Sequence, residues 1–210
     1  MRKESLIQLI KDMAAVIEKE KQYLTDLDAA IGDGDHGINL ARGFSGVVEK
    51  LPTVEDKDCA TILKTVGMTL VSTVGGASGP LYGTAFMKSG MVLGNKEELT
   101  AEDFIKMLDI SIDGISQRGK STQGEKTILD ALIPAAEAFK NNYADTGNVP
   151  EAFDKAIQAA QEGVEYTKTI IATKGRASYL GERSLGHQDP GATSVTKILE
   201  CIAQAVKQGA

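Results

Sequence analysis

The sequence predicts an all-α fold in which about eight antiparallel helices form a single domain over residues 1–210. Apolar residues recur at spacings of three and four along most of the chain, which is the period of an amphipathic helix. The segments between these patterns are mainly short and marked by Gly or Pro, and short connections join helices that are antiparallel neighbours. No Pro/Gly/Ser-rich linker and no internal repeat divides the chain.

The strongest helical patterns lie at the two ends of the chain. In the first helix, one face carries Leu6, Ile10, Met13 and Ile17. In the C-terminal third, a second face carries Phe153, Ile157, Ala160, Val164 and Ile171. The last helix carries Val195, Ile198, Leu199, Ile202 and Val206. Weaker patterns predict further helices over about 38–50, 58–73, 81–93, 101–116 and 127–142.

The composition excludes several functional classes. Hydrophobic residues make up 42% and charged residues 25% of the chain, which are ordinary values for a globular protein. A net charge of −6 argues against a nucleic-acid-binding surface. No apolar run reaches the length of a membrane span, and the charged N-terminus lacks the apolar core of a signal peptide. Cys59 and Cys201 show no metal-ligand spacing, so a reducing cytoplasm is expected.

An acidic turn is the most informative local pattern. Asp28, Asp33 and Asp35 lie within eight residues, with glycines between them. Carboxylates this close repel one another unless a cation lies between them, and Mg²⁺ is usually held by a few carboxylates together with nucleotide phosphates. The glycines allow a sharp turn and a close approach to a ligand. The pattern therefore predicts a magnesium and phosphate site.

Of two other interpretations of this turn, a solvated loop stays open and a calcium-binding EF-hand does not. Asp and Gly are ordinary turn residues, so an isolated match of this kind is equally compatible with a solvated loop. An EF-hand is excluded, because a calcium loop beginning at Asp33 would need an oxygen ligand, a glycine and a glutamate at its fifth, sixth and twelfth places. Those places hold Gly37, Ile38 and Phe44.

Two further loops contain unusual residues. The segment 75–80 precedes a predicted helix, whose free N–H groups would favour phosphate, although a plain tight turn is the alternative. The loop 175–191 is long for a compact domain, and it contains Arg176, Arg183 and His187. Asp189 as N-cap and Pro190 as first helical residue would begin the last helix without any ligand, and both arginines could equally be solvated.

Residues Gly114 to Ser121 match the P-loop pattern G-x-x-x-x-G-K-[ST]. A P-loop would imply an NTPase with a central parallel sheet, and the alternation in 108–113 is compatible with a strand. Helical spacing through Phe104, Leu108 and Ile112 argues against it, and residues 121–124 make a poor helix start. The favoured interpretation is a helix end and loop, with Gly119 close to a nucleotide base.

Seven strings of residues occur in a fixed order along the chain: LDAAIGDGDHG (27–37), GFS (43–45), VGGASGPLYGT (74–84), RGK (118–120), GEKT (124–127), KGRASYLGERS (174–184) and GHQDPGATS (186–194). Long strings in a fixed order are more specific than any single motif. With them, the chain resembles the nucleotide-binding L subunits of bacterial dihydroxyacetone kinases over nearly its whole length.

The resemblance implies a barrel of eight antiparallel helices that binds ADP or ATP with two Mg²⁺ ions. The metal ligands that it implies are Asp28, Asp33 and Asp35. The nucleotide contacts that it implies are His36, Gly37, Ile38, Asn39, Ala77, Ser78, Gly119, Ile128, Arg176, Asp189, Pro190 and Gly191. Ala77 and Ser78 would contact phosphate, and Gly119 and Ile128 would form the base pocket. No residue is expected to act as a nucleophile or general base.

The resemblance also implies a division of labour between chains. Dihydroxyacetone would be held on a separate K subunit, and the bound ADP would be rephosphorylated by a phosphorylated M subunit of the phosphotransferase system. The alternatives are an ATP-exchanging kinase subunit that acts on another short ketose or polyol, and a nucleotide-sensing protein that transfers no phosphate. A homodimer is a further open expectation, and no nucleic-acid or membrane partner is expected.

Overall fold

Eight α-helices account for most of the chain in the computed structural model, which describes residues 1–209. Their bounds are α1 (Lys3–Ile31), α2 (His36–Lys50), α3 (Cys59–Thr73), α4 (Ser78–Leu93), α5 (Ala101–Gly119), α6 (Leu129–Thr146), α7 (Val149–Thr167) and α8 (Pro190–Lys207). Two 3₁₀ helices span Leu51–Thr53 and Arg176–Ser184. Within residues 1–209, the β-type pairing is limited to one bridge between Arg2 and Glu98. The predicted all-α fold is confirmed.

The helices close into a barrel. Each helix packs against the next along the chain, and α8 packs against α1. Neighbours run antiparallel: Gly67 of α3 faces Gly83 of α4, whereas Gly90 near the end of α4 faces Ala60 at the start of α3. This up-and-down order decides which helix termini share an end of the barrel. The starts of α2, α4, α6 and α8 lie at the same end of the barrel as the ends of α1, α3, α5 and α7.

The core of the barrel is apolar and continuous. Leu6, Ile10, Met13 and Ile17 are all buried on the inner face of α1, as their spacing predicts. On the opposite side, the rings of Phe104, Phe139 and Phe153 join α5, α6 and α7, with ring centroids 4.8–5.0 Å apart. Aromatic pairs at this distance and tilt add to the stabilisation from burial.

The helix starts differ in how their N–H groups are satisfied. Four helices begin with a side chain that accepts a backbone N–H; the capping residues of α3, α5, α7 and α8 are Asp58, Thr100, Asn148 and Asp189. The N-cap residues of α1, α2, α4 and α6 accept no such bond from their side chains. At α2, the Asp28 side chain instead accepts the N–H of His36, the first residue of the helix. The first N–H groups of a helix have no partner within the helix, so those that no side chain accepts are available to a ligand.

Two details of the predicted helices are wrong. Ile171 was placed on the face of the seventh helix, but α7 ends at Thr167 and Ile171 is exposed. The loop 175–191 is not irregular throughout, because Arg176–Ser184 forms 3₁₀ turns that change direction at Gly181, where φ is +58°. Glycine adopts such a left-handed conformation without steric cost.

None of the helices within residues 1–209 combines the length and the apolar composition that crossing a membrane requires.

The close approach of α6 and α7 depends on Gly163. A Cβ atom there would overlap the carbonyl oxygen of Asp130. We expect Gly163→Ala to lower the free energy of unfolding by about 1–3 kcal/mol, because overpacking shifts both helices. Gly46→Ala is the matched control, since the nearest atom to its Cβ would be the Thr73 methyl at 3.4 Å. Urea unfolding followed by circular dichroism measures both, and equal stabilities would contradict the packing described.

Candidate functional site

A cavity of about 760 Å³ lies at the end of the barrel where α2, α4, α6 and α8 begin. This volume is typical of small-molecule sites. Its walls come from the turn between α1 and α2, the start of α4, the connection between α5 and α6, the first turn of the second 3₁₀ helix, and the segments on either side of that helix. The barrel therefore joins segments that are distant in sequence.

Three carboxylates form the acidic wall of this cavity. Asp28 lies in the last turn of α1, and Asp33 and Asp35 lie in the turn that leads to α2. One ligand oxygen from each of the three lies within 4.8 Å of the others. The predicted proximity of the three residues is thus present in the fold, and the donor set is one that hard cations such as Mg²⁺ prefer.

The backbone of the turn holds Asp28 in place. Its Oδ2 accepts the N–H groups of Asp35, at 2.9 Å, and of His36, at 3.1 Å. Its Oδ1 lies directly over Gly32, where a Cβ atom would overlap it. Gly34 has φ +71°, which allows the chain to turn sharply between Asp33 and Asp35. The glycines are therefore required by the carboxylate geometry.

Arg176 is the cation nearest to this cluster. Its Nη2 atom lies 2.9 Å from Oδ2 of Asp33, and the guanidinium side chain is 65% exposed. An ion pair this exposed contributes about 0–1 kcal/mol to stability. The contact places the second 3₁₀ helix at the mouth of the cavity and leaves the guanidinium able to reach other anions there.

The start of α4 forms the adjoining wall. Ala77, Ser78 and Pro80 line the cavity. A Cβ atom on Gly79 would overlap the carbonyl oxygen of Val74, so the start of α4 lies close against the end of α3. Pro80 is the third residue of the helix, in the first turn, where no N–H is needed. The uncapped N–H groups of this turn favour an anion.

His36 bridges three helices beside the acidic cluster. It begins α2 and is buried; its Nδ1 lies 2.9 Å from Ser78 Oγ of α4, and its Nε2 lies 2.9 Å from Ser194 Oγ of α8. Burial lowers the pKa of His36 below its usual value, against the opposing effect of Asp28 and Asp35. The ring is therefore neutral at pH 7.

The connection between α5 and α6 is held by Asp130. Its carboxylate is fully buried and accepts the N–H groups of Gly124, at 2.5 Å, and of Thr127, at 2.8 Å. These bonds fix the loop that leads to Ile128, a buried apolar residue that lines the cavity. This wall is accordingly rigid and partly apolar.

Lys126 ties the same loop to α7. Its side chain is buried, and Nζ donates to the carbonyl oxygens of Thr167, at 2.5 Å, and Ile170, at 3.3 Å. Burial lowers the pKa of Lys126, while Asp189 and Asp130 oppose that effect. The ammonium group satisfies carbonyl oxygens at and just beyond the end of α7, where no further turn of helix supplies N–H donors.

Asp189 begins α8 as the sequence predicts. Its Oδ2 accepts the N–H of Ala192 at 2.7 Å, and its own N–H donates to Thr167 Oγ1 at 2.9 Å. Burial raises the pKa of Asp189 to about 7, and the Asp130 carboxylate adds to the shift while Lys126 opposes it. Asp189, Pro190 and Gly191 all line the cavity.

The fold gathers all but three of the predicted site residues around this cavity. Those that line it are Asp28, Asp33, Asp35, His36, Ala77, Ser78, Gly119, Ile128, Arg176, Asp189, Pro190 and Gly191. Gly37, Ile38 and Asn39 do not line it. Gly37 packs against the Lys21 carbonyl of α1, Ile38 is half exposed, and Asn39 accepts a hydrogen bond from Arg42 at 2.7 Å. Arg183 and His187 are exposed outside the lining.

Sequence reasoning missed the buried polar residues that support the site. Lys126 was noted only as part of the string GEKT, and Tyr82 and Ser194 were given no role. Glycines around Lys126 mark a loop, but no local pattern indicates that a lysine will be buried. Tyr82 and Ser194 meet across 112 positions of sequence, with their hydroxyl oxygens 2.7 Å apart. A pair separated in this way has no local signal.

The P-loop alternative is wrong. Residues up to Gly119 belong to α5, and Lys120 follows as its C-cap in a left-handed conformation with φ +49°. Nine residues then separate α5 from α6, and no strand occurs within residues 1–209. Lys120 is exposed and outside the cavity lining, whereas Gly119 lines it. The match arose because a helix end and its loop share Gly and Lys with the motif.

A second cavity, of about 360 Å³, lies inside the barrel. Leu6, Leu63, Phe86, Leu132 and Ile198 are among its lining residues, and no charged side chain lines it. A metal ion or phosphate there would meet a few hydroxyl groups and no charged side chain to offset the cost of its burial. The polar cavity is therefore the candidate for ligand chemistry.

The chain matches a known protein family. The model of the DAK2 domain matches residues 30–204, which include every residue of the acidic cluster except Asp28. This match covers most of the chain. The chain belongs to the DAK2 domain family.

Two relatives of this DAK2 domain chain carry names that describe an activity. The ADP-binding subunit of the PEP-dependent dihydroxyacetone kinase of Escherichia coli is 48% identical over 193 residues, covering 92% of each chain. The ADP-binding subunit of the PTS-dependent dihydroxyacetone kinase of Lactococcus lactis is 40% identical, covering 90% of this chain and 91% of its own.

A solved structure shares the fold of this DAK2 domain. The dihydroxyacetone kinase of C. freundii, in complex with AMP-PNP and Mg²⁺, superimposes with a TM-score of 0.71 at 24% identity. The match covers 94% of this chain and 33% of that one. The likeness shows that the helical barrel also occurs as part of a longer kinase chain.

Proposed function

We propose that this chain is the nucleotide-binding subunit of a phosphoenolpyruvate-dependent dihydroxyacetone kinase. The observation that carries the proposal is the meeting, in one cavity, of the cluster of Asp28, Asp33 and Asp35 with the uncapped start of α4 at Ser78. A carboxylate cluster suits a hard cation, and a helix start suits phosphate. A nucleotide bound to Mg²⁺ contains both a hard cation and phosphate groups. Identity of 48% to a subunit with this activity supports the same assignment.

The three carboxylates fit the role of metal ligands. Oxygens from all three lie within 4.8 Å of one another, and backbone N–H groups satisfy only Oδ2 of Asp28. We propose that Asp28, Asp33 and Asp35 would hold two Mg²⁺ ions, which would neutralise charge on the transferring phosphoryl group. The three carboxylates would serve as metal ligands and need not move a proton.

The walls of the cavity suggest how the nucleotide lies. The phosphates would meet Ala77 and Ser78, where the first turn of α4 offers N–H groups. The adenine ring would lie against Gly119 and Ile128, because this wall is apolar and rigid. Arg176, at the mouth, would close over the phosphates. The first turn of α2, from His36 to Asn39, would approach the nucleotide from beside the acidic cluster. Its contribution would come from the N–H groups of Gly37 and Ile38, because the N–H groups of His36 and Asn39 already donate to Asp28 Oδ2 and to the Asp35 carbonyl oxygen.

The acceptor is proposed to lie on another chain. Asp33 and Arg176 are exposed on the solvent side of the cavity, so a terminal phosphoryl group beside them would face outward. A K subunit carrying dihydroxyacetone would dock on this end, and a phosphorylated M subunit would restore ATP from the bound ADP. We further propose a cytoplasmic location and a single domain over residues 1–210; a homodimer remains an additional proposal.

Asp33→Asn tests the metal assignment. Magnesium and ADP together should raise the melting temperature of the parent chain, since a ligand at 100 times its dissociation constant adds about 2.7 kcal/mol. We expect the variant to lose most of this rise while its helical circular dichroism spectrum is unchanged. Asp26→Asn is the control, because Asp26 is exposed on α1 two residues before Asp28 and outside the cluster. An undiminished rise in Asp33→Asn would exclude the cluster as the metal site.

Reconstitution tests the division of labour. The chain alone, the chain with K subunit, and the chain with K and phosphorylated M subunits are each given dihydroxyacetone, and dihydroxyacetone phosphate is measured. We expect turnover only in the third mixture. A transferring group needs its acceptor within about 3–3.5 Å, so the two sites must face each other.

Other outcomes of the same assay would point to other functions. Turnover by the isolated chain would contradict a shared site. Turnover with K subunit and ATP, without M subunit, would place the chain among the ATP-exchanging kinases. Tight Mg²⁺-ADP binding without turnover in any mixture would favour the nucleotide-sensing alternative.

A further inference from the structure

Four polar side chains form a line from the interior of the barrel to the cavity. The Tyr82 hydroxyl lies 2.7 Å from Ser194 Oγ, which lies 2.9 Å from His36 Nε2. His36 Nδ1 in turn lies 2.9 Å from Ser78 Oγ, at the cavity wall. Tyr82, Ser194 and His36 are buried, and Ser78 is half-buried. The line thus joins α4, α8 and α2 and ends at the start of α4.

The direction of the first bond follows from burial. Burial raises the pKa of Tyr82, so its hydroxyl stays protonated. Within residues 1–209, Ser194 Oγ is the partner of this hydroxyl. A buried donor without an acceptor is costly, so Tyr82 donates to Ser194.

The proton of Ser194 has two possible acceptors. It can go to the Gly191 carbonyl oxygen, at 3.1 Å, or to His36 Nε2, at 2.9 Å. In the first arrangement Nε2–H donates to Ser194, Ser78 donates to Nδ1, and Ser78 offers only lone pairs to the cavity. In the second, Ser194 donates to Nε2, Nδ1–H donates to Ser78, and the Ser78 proton is free for the cavity.

Phosphate oxygens accept hydrogen bonds and do not donate them, so only the second arrangement suits a phosphate at Ser78. We propose that Tyr82 and Ser194 are positioning residues that set the Nδ1–H tautomer of His36 and thereby turn the Ser78 hydroxyl into a phosphate donor. This inference rests on the proposed function, since it requires a nucleotide phosphate at the start of α4. Ser194 does not line the cavity, so it acts through His36. The Tyr82 ring does line the cavity, but the Tyr82 hydroxyl bonds to Ser194, so its hydrogen bond acts through Ser194 and His36.

Each bond in the second arrangement points the same way, from Tyr82 through Ser194 and His36 to Ser78. Hydrogen bonds in such a chain polarise one another. Without the Ser194 hydroxyl, Nε2 loses its donor and the ring gains freedom to take the other tautomer. Ser78 would then lose part of its role at the phosphate, whereas the base pocket at Ile128 would be untouched.

The tautomer can be observed directly. The sequence has two histidines, so nitrogen NMR of ¹⁵N-histidine-labelled protein gives two ring systems, and His187→Asn assigns them. With Mg²⁺-ADP bound, we expect the His36 proton on Nδ1. A proton on Nε2, or on both nitrogens, would overturn the proposal.

Nucleotide affinity gives the second measurement. Ser194→Ala and Tyr82→Phe should each weaken Mg²⁺-ADP binding about three- to tenfold, the range for one neutral hydrogen bond. Adenosine, which lacks phosphates, should bind the variants and the parent equally well. The controls are Ser89→Ala and Tyr143→Phe, whose hydroxyl groups bond to Ser111 and Glu102 away from this cavity.

The outcomes separate this inference from the function on which it rests. Failure of the parent chain to bind Mg²⁺-ADP would contradict the proposed function. If the parent binds Mg²⁺-ADP and Ser194→Ala binds it equally tightly, the proposed positioning role of Ser194 and Tyr82 is overturned, and the proposed function is not affected. An equal loss of ADP and adenosine binding in Ser194→Ala would also overturn it, because that result indicates general distortion of the site.

Discussion

The site depends on the closure of eight helices in up-and-down order, because this order places four helix starts and four helix ends at one rim. Starts offer N–H groups and ends offer carbonyl oxygens, so such a rim has no net preference for an anion by itself. In this fold, hydrogen bonds satisfy carbonyl oxygens at two of the helix ends. The Gly32 N–H donates to the Asp28 carbonyl oxygen at the end of α1, and Lys126 Nζ donates to the Thr167 carbonyl oxygen at the end of α7. The start of α4 has no side-chain cap, whereas at α2 the Asp28 carboxylate accepts the N–H of the first residue, His36. The rim thereby becomes able to hold an anion.

The acidic cluster gives this rim its chemical selectivity. Three carboxylates beside uncapped N–H groups would repel a bare phosphate, so a cation must accompany the anion. The Arg176–Asp33 pair is exposed and weak, which makes it easy to exchange for a divalent ion. The same exchange would free Arg176 to approach the phosphates. Under the proposed function, metal binding and nucleotide binding would be coupled in this way, and such coupling suits a phosphoryl-transfer subunit.

Much of the fold followed from the sequence because amphipathic helices have a local period. Leu6, Ile10 and Met13 predict α1, and Asp189 with Pro190 predicts the start of α8. The proximity of Asp28, Asp33 and Asp35 could be predicted because the turn is short. Long-range polar contacts could not: nothing near Ser194 indicates that it will meet His36 and Tyr82. The P-loop pattern at Gly119 and Lys120 does not by itself distinguish a helix end from a phosphate loop, and it was the helical spacing before it that correctly favoured a helix end.

The central claim is that Asp28, Asp33 and Asp35 hold the metal that holds the nucleotide. Crystals grown with Mn²⁺ and ADP test it most directly, because Mn²⁺ occupies the same oxygen-ligand sites as Mg²⁺ and scatters anomalously. The account predicts anomalous peaks bounded by these three carboxylates, with the ADP phosphates on the far side of the metal and next to Ser78. ADP bound elsewhere, or bound in this cavity with no peak at the three carboxylates, would contradict it.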